Sequence, residues 1–342
     1  MAPEASTSAL PAGVALPGRA SPTEAARLSA EAESAGCEAV WTLEVRRDPF
    51  LLAAAAAGAT NRVEIGTNVA VAFARSPTVT AIAAWDLSLW SGGRFVLGLG
   101  SQVGPTLEAR FGVSADHPAA RMRDYVQAVR ACFGALGKGY GGYSGQYYSI
   151  RRPAMQPGAE PLADEPPVYL GAVNPLMTRV TGEVGDGLAA HSFSTEEYLR
   201  EVVRPALEEG AARAGRPRPK ILLQLVVAPS RQAAAAQMYF YTVPGYRRVL
   251  DHSGLSAVAD RIIAAAGEGR RSEARELIDQ HLLDRLGVVI GDDPETLEAG
   301  LRRWRPHADR ISLSVPWFGI EHEEQVGLFE RLLRSLREMN AR

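Results

Sequence analysis

Apolar and polar positions alternate along this chain on two scales. Short, nearly continuous apolar runs (Glu38 to Leu43, Val63 to Val69, Arg94 to Leu99) are separated by longer stretches with helical spacing. Runs of the first kind suit strands covered on both faces, and the second kind suits helices packed on them. Proline sets the punctuation. Ser21-Pro22, Asp48-Pro49, Ser76-Pro77, Asn174-Pro175 and Asp293-Pro294 each place a capping side chain before a proline suited to the first helical position. In Ser21-Pro22-Thr23-Glu24 the glutamate also reaches back to the cap, and a cap of this kind contributes about 1 kcal/mol. The stretch Ala119–Leu136 carries Met122, Val126, Val129 and Phe133 on one stripe, predicting a long helix.

Further strands are expected at Gly13–Leu16, Val168–Leu170, Asp186–Ala190, Ile221–Val227 and Ile311–Val315, with helices at Pro175–Val184, Thr195–Ala214 and Glu323–Leu336. Eight strand–helix units in one chain predict an α/β fold, a (β/α)8 TIM barrel, with an open doubly wound sheet as the alternative. Residues 1–12 read as a flexible tail and 13–342 as a single barrel domain. Two insertions break the rhythm, one after strand 4 (about 137–167, with a small hairpin) and one after strand 7 (about 228–286, mostly helical).

The 342 residues carry a net charge of −2 and are 46% hydrophobic, so no electrostatic argument favours nucleic acid or an anionic membrane. No apolar run is long enough to span a bilayer. Cys37 and Cys132 are expected as buried free thiols in a reducing compartment, and a cytoplasmic protein is expected.

"GRFVLGLGSQVG" places Gly98 and Gly100 as in a dinucleotide-binding turn, but Val103 holds the third glycine position and Pro105 follows. A buried strand leaving its sheet at Gly100 fits better. The six histidines lack metal-ligand spacing, and no G-x-S-x-G elbow or Walker lysine loop occurs, so no metal is expected.

Chemistry therefore collects at the strand exits: Glu44 after strand 2, Asn68, Val69, Arg75 and Ser76 after strand 3, Ser101 and Gln102 after strand 4, "GAVNP" after strand 5, and His191-Ser192-Phe193 after strand 6. The amides before Pro175 open a helix, whose partial positive charge favours a phosphate. One carboxylate, one imidazole, amide side chains and an anion seat suit a phosphorylated organic cofactor that carries the chemistry itself. Glu44, His191 and Gln102 are the candidate catalytic residues. Glu44 could instead pair with Arg46 or Arg47. Phe73, Tyr239, Tyr241 and Tyr246 form the candidate substrate wall for a fairly large organic small molecule.

"AESAGCEAVWTLEVRRDPFL", "NRVEIGTNVAVAFARSPTVTA", "SGGRFVLGLGSQVGPTLEARFG", "RMRDYVQAVR", "GDGLAAHSFST" and "TVPGYRRVL" resemble, in order, the luciferase-like monooxygenase family, and most closely its branch that uses the deazaflavin coenzyme F420. The resemblance implies the same barrel. It implies a tricyclic ring beside Gly100, Ser101 and Gln102, and a non-prolyl cis peptide at Asn68-Val69, next to Thr67, behind that ring. It places the cofactor phosphate at Gly171, Ala172, Val173 and Asn174. Glu44 stands where some relatives carry a histidine, which argues against a sugar-phosphate dehydrogenase. The resemblance also implies a homodimer. Alternatives within it are a monooxygenase using reduced FMN and oxygen, and a cofactor-free partner subunit.

Overall fold

A computed structural model describes residues 12–153 and 162–342. The expected tail therefore lies, but for Ala12, outside the described residues, as does part of the proline-rich connector. Eight parallel strands close into a barrel: β1 (Gly13–Ala15), β2 (Ala39–Thr42), β3 (Glu64–Thr67), β4 (Phe95–Gly100), β5 (Val168–Gly171), β6 (Gly187–Ala190), β7 (Lys220–Ala228) and β8 (Arg310–Ser314). Each pairs with the next, and β8 returns to β1 with Gly13 opposite Ser312. The fold is a (β/α)8 TIM barrel, and no open sheet edge remains on the ring.

Helices α1 (Pro22–Ser34), α2 (Pro49–Ala59) and α3 (Pro77–Ser91) begin at the three expected prolines, and Ser21, Asp48 and Ser76 each accept from a first-turn amide. The capping box of Ser21 with Glu24 is complete. Helix α4 (Gly104–Phe111) follows β4, and α5 (Pro118–Lys138) buries Met122, Val126, Val129 and Phe133. Helix α6 (Pro175–Val184) begins at Asn174. The barrel interior is filled by Trp41, Val96, Tyr169 and Leu222, with the rings of Trp41 and Tyr169 6.3 Å apart. A side chain at Gly66 would overlap the indole of Trp41. The interior is therefore a packed core, and ligands are left the carboxyl-end rim.

Three local differences from the sequence expectation have physical causes. The helix expected over Thr195–Ala214 opens at Leu199–Val203 into a wide π turn between Glu196–Tyr198 and Arg204–Arg213. Pro205 lacks the amide an unbroken α-helix would use. Helix α4 has no signal in the sequence pattern, because eight residues between glycines leave little periodicity. The run Val288–Ile290 forms a strand beside the upper end of β7, with Val226 opposite Val288, while Gly287 donates to Ser192 beyond β6. Three apolar residues carry no period that separates strand from loop.

The expected hairpin forms from Tyr143–Ser144 and Ser149–Ile150. Asp124 of α5 anchors it by accepting from the amides of Gln146, Tyr147 and Tyr148. Cys37 and Cys132 are buried and unpaired, and burial pushes the Cys37 thiol up to about 12. Among the described residues no helix is long and apolar enough to cross a membrane, and no cluster of His, Cys, Asp or Glu is arranged to hold a metal ion.

Candidate active site

The exits of β3, β4 and β5 meet around one side chain, Val69. The peptide bond Asn68–Val69 is cis, at the position singled out by the resemblance. A Cβ at Gly100 would lie 2.5 Å from a methyl of Val69, and one at Gly171 would lie 3.5 Å from it. Both glycines thus leave room for the valine, which forms a small apolar shelf at the rim. Below it, the Thr67 hydroxyl donates to the carbonyl of Gly98 at 2.6 Å and accepts the Gly98 amide at 2.9 Å. A Cβ at Gly98 would overlap the Thr67 carbonyl oxygen. The glycines of "GLG" therefore serve close approach between β3 and β4, not a dinucleotide phosphate. Thr67 is buried in the wall with its hydroxyl fully engaged, which separates it from Asn68 and Val69 above.

Ser101 and Gln102 lie just beyond Gly100. Gln102 sits in the left-handed region at φ 62, and its side-chain oxygen accepts the Val103 amide at 2.9 Å ahead of α4. Ser101 donates to the Gln102 carbonyl. At the β5 exit, Gly171, Ala172 and Val173 lead to Asn174, whose side chain does not cap α6. Its amide instead donates to Gly245 of the second insertion at 3.2 Å, and the first-turn amides of α6 have no side-chain acceptor among the described residues. The segment Thr242–Tyr246 thus reaches across the rim to Asn174, with Gly245 beside Val103.

The opposite wall is aromatic. His191, just past β6, packs edge-on against Tyr241 with centroids 4.3 Å apart and against Tyr246 at 4.8 Å. Phe193 packs on both tyrosines. The Phe193 amide donates to His191 Nδ1 at 2.9 Å, and burial pushes the imidazole down to about 4. The ring is therefore neutral near pH 7 and carries its proton on Nε2, which has no protein partner among the described residues. Tyr241 accepts from Gln237 Nε2 at 2.9 Å. The amide orientation of Gln237 is determined, because its oxygen accepts the amides of Trp317 and Phe318 at 2.8 and 3.0 Å. Burial pushes the Tyr241 phenol up to about 12, so it too is neutral.

Not every candidate reaches these walls. Phe73 is buried against Tyr125 of α5, with the Arg121 guanidinium over its ring at 4.3 Å. The 3-10 turn Ala72–Ala74 carries it into the layer between barrel and helices. Tyr239 lies under Arg275, away from His191. Glu44 pairs with Arg75, not with Arg46 or Arg47. Gln237, Trp317 and Phe318 were not among the sequence candidates. The one legible signal was the aromatic pair directly after the last strand.

Residues 4–307 match the luciferase-like monooxygenase family. The chain is 38% identical over 295 residues to an uncharacterized protein of Mycobacterium tuberculosis, covering 82% of this chain and 86% of that one. It is 30% identical over 300 residues to a second protein of that organism named as a candidate coenzyme F420-dependent oxidoreductase, covering 79% and 84%. The coenzyme F420-dependent tetrahydromethanopterin reductase of Methanopyrus kandleri superposes with a TM-score of 0.78 at 22% identity, covering 96% of this chain and 98% of that one. On the strength of the match along most of its length, the chain belongs to the luciferase-like monooxygenase family.

Proposed function

We propose that this protein is an oxidoreductase that uses the deazaflavin coenzyme F420 to transfer hydride to or from a fairly large organic substrate. The observation that carries the reading is the Val69 shelf between Gly100 and Gly171, beside a helix whose first amides are uncapped. The residues fit such a cofactor. The two glycines keep side chains off the shelf, Ser101 and Gln102 offer polar groups at its edge, and the α6 terminus suits a phosphate. The relative named as a candidate F420-dependent oxidoreductase supports the choice of deazaflavin.

When bound, the deazaflavin ring supplies or takes up the hydride. The chain's own residues orient and shield. Val69 and the glycine exits would support the ring, and orientation of this kind contributes up to about 7–11 kcal/mol when reacting atoms are held at attack distance. His191, neutral and with Nε2–H free, would hydrogen-bond an oxygen of the substrate as a donor, not as a proton-transfer acid. Tyr241, Tyr246 and Phe193 would keep water from that oxygen. The family description favours one second reading, reduced FMN with oxygen on the same shelf.

Fluorescence titration of the purified protein with each cofactor decides between them. Micromolar binding of F420 is expected. Binding of FMN alone would reverse the choice, and binding of neither would leave a non-catalytic partner subunit.

We also infer a homodimer through α2 and α3. Helix α2 has no charged residue and α3 only Asp86, yet Leu51, Val79 and Trp90 are 64%, 58% and 61% exposed. A largely apolar face of this kind, with Asp86 its one charge, can pack on its own copy across a two-fold axis. Trp90→Glu is expected to shift the dimer to monomer in light scattering.

A further inference from the structure

The exits of β2 and β3 are tied together by one ion pair. Arg75 donates to Glu44 through two nitrogens, Nη1 to Oε2 at 2.8 Å and Nη2 to Oε1 at 3.0 Å. Both side chains are largely buried, at 6% exposure for Glu44 and 15% for Arg75. Such a fork-to-fork pair fixes direction as well as distance. Glu44 Oε2 also accepts the Val71 amide at 2.6 Å, and Arg75 Nη1 also donates to the Val71 carbonyl at 3.2 Å. Both backbone polar groups of Val71 are therefore held by the same pair. The second arm of Arg75 reaches Asp48 at 2.8 Å, whose other oxygen caps α2, while the guanidinium lies over the Phe50 ring. The clamp is thus referenced to a helix of the scaffold, not to a loop.

Val71 lies two residues beyond Val69 and stands opposite Gly100 on β4. Holding Val71 at both its N–H and its C=O sets where Val69 rests on Gly100 and Gly171. A carboxylate whose two oxygens are already taken up by a guanidinium and a backbone amide is poorly placed to exchange a proton with a ligand. We propose that Glu44 and Arg75 are positioning residues, a clamp that seats the Val69 shelf. The consequence for cofactor affinity rests on the reading of the shelf as the cofactor's support. Glu44 thereby leaves the list of acid–base candidates that its place at the β2 exit suggested.

The test compares the wild type with Glu44→Ala, Glu44→Gln, Arg75→Ala and the double alanine variant. Amide hydrogen exchange over residues 68–74 is measured without cofactor, and dissociation constants for F420 and FMN are measured by fluorescence. Exchange is expected to quicken on the order of tenfold in both alanine variants, and less in Glu44→Gln, which still accepts from Val71. Affinity for the bound cofactor is expected to weaken by a similar factor in the same order, with the double variant no worse than the weaker single one, because both act through one clamp.

Unchanged exchange over 68–74 in both alanine variants overturns the clamp, whatever the cofactor does. Quickened exchange supports the clamp even if the wild type takes up neither cofactor, an outcome that removes the functional reading instead. If the alanine variants do not fold, Glu44→Gln and Arg75→Lys carry the same test, since lysine keeps the charge but loses the fork.

Discussion

The two walls of the rim are built from different forces. On the β2–β5 side the contacts are backbone and charge: Thr67 bonded both ways to Gly98, Glu44 gripped by Arg75, and Val69 seated against glycines. On the β6–β8 side aromatic rings meet at centroid distances of 4.3 to 6.4 Å around one buried amide, Gln237. Directional hydrogen bonds and backbone contacts weaken steeply when atoms shift by tenths of an ångström. Aromatic pairs keep about 0.5–1.5 kcal/mol over a broad range of tilts and separations. The first wall suits a ligand of one constant shape, and the second suits a ligand whose shape can vary. The proposed reading assigns the cofactor to the first wall and the substrate to the second.

The sharpest way to break this contrast is at Gly98. Gly98→Ala puts a methyl onto the Thr67 carbonyl inside the wall, and a loss of about 3 kcal/mol or more is expected in denaturant unfolding. A loss below about 0.5 kcal/mol would mean that the wall yields easily and that the contrast is false. Next comes Gln237→Leu, which strips the Trp317 and Phe318 amides and the Tyr241 hydroxyl of their shared partner. It is expected to cost about 2 kcal/mol while leaving cofactor affinity unchanged. A weakened cofactor constant would show that the walls are not separate.

The last effect concerns His191 and appears only as a dependence on pH. The unfolded chain protonates this ring at its ordinary value of 6.5, and the folded protein only near 4. Between those values the unfolded state binds more protons, so this residue's contribution erodes as pH falls from 6.5 toward 4 and is whole above 6.5. His191→Gln is expected to flatten the stability profile within that window, read from denaturant midpoints. An unchanged slope would show the ring to be better hydrated than its packing implies.

Much of the scaffold was legible because its signals are local. A serine or aspartate before proline says where a helix begins, since the groups it satisfies lie within one turn. Apolar runs of three to seven residues between such starts announced the barrel. The failures share a different cause. Spacing offers Glu44 only its chain neighbours Arg46 and Arg47 as alternative partners, but its actual partner Arg75 lies 31 residues away. Gln237 meets Trp317 across 80 residues. Phe73 sits among exit residues in sequence, yet a single 3-10 turn redirects it toward α5.

By itself, the sequence determined the strand–helix alternation, the helix starts and the set of side chains delivered to the rim, because all three depend on residues within a few positions of one another. Only the closed barrel decided which of those side chains meet. Ring closure brings together the exits of strands distant in sequence, and hydrogen bonding and packing at that distance choose partners that no local spacing encodes.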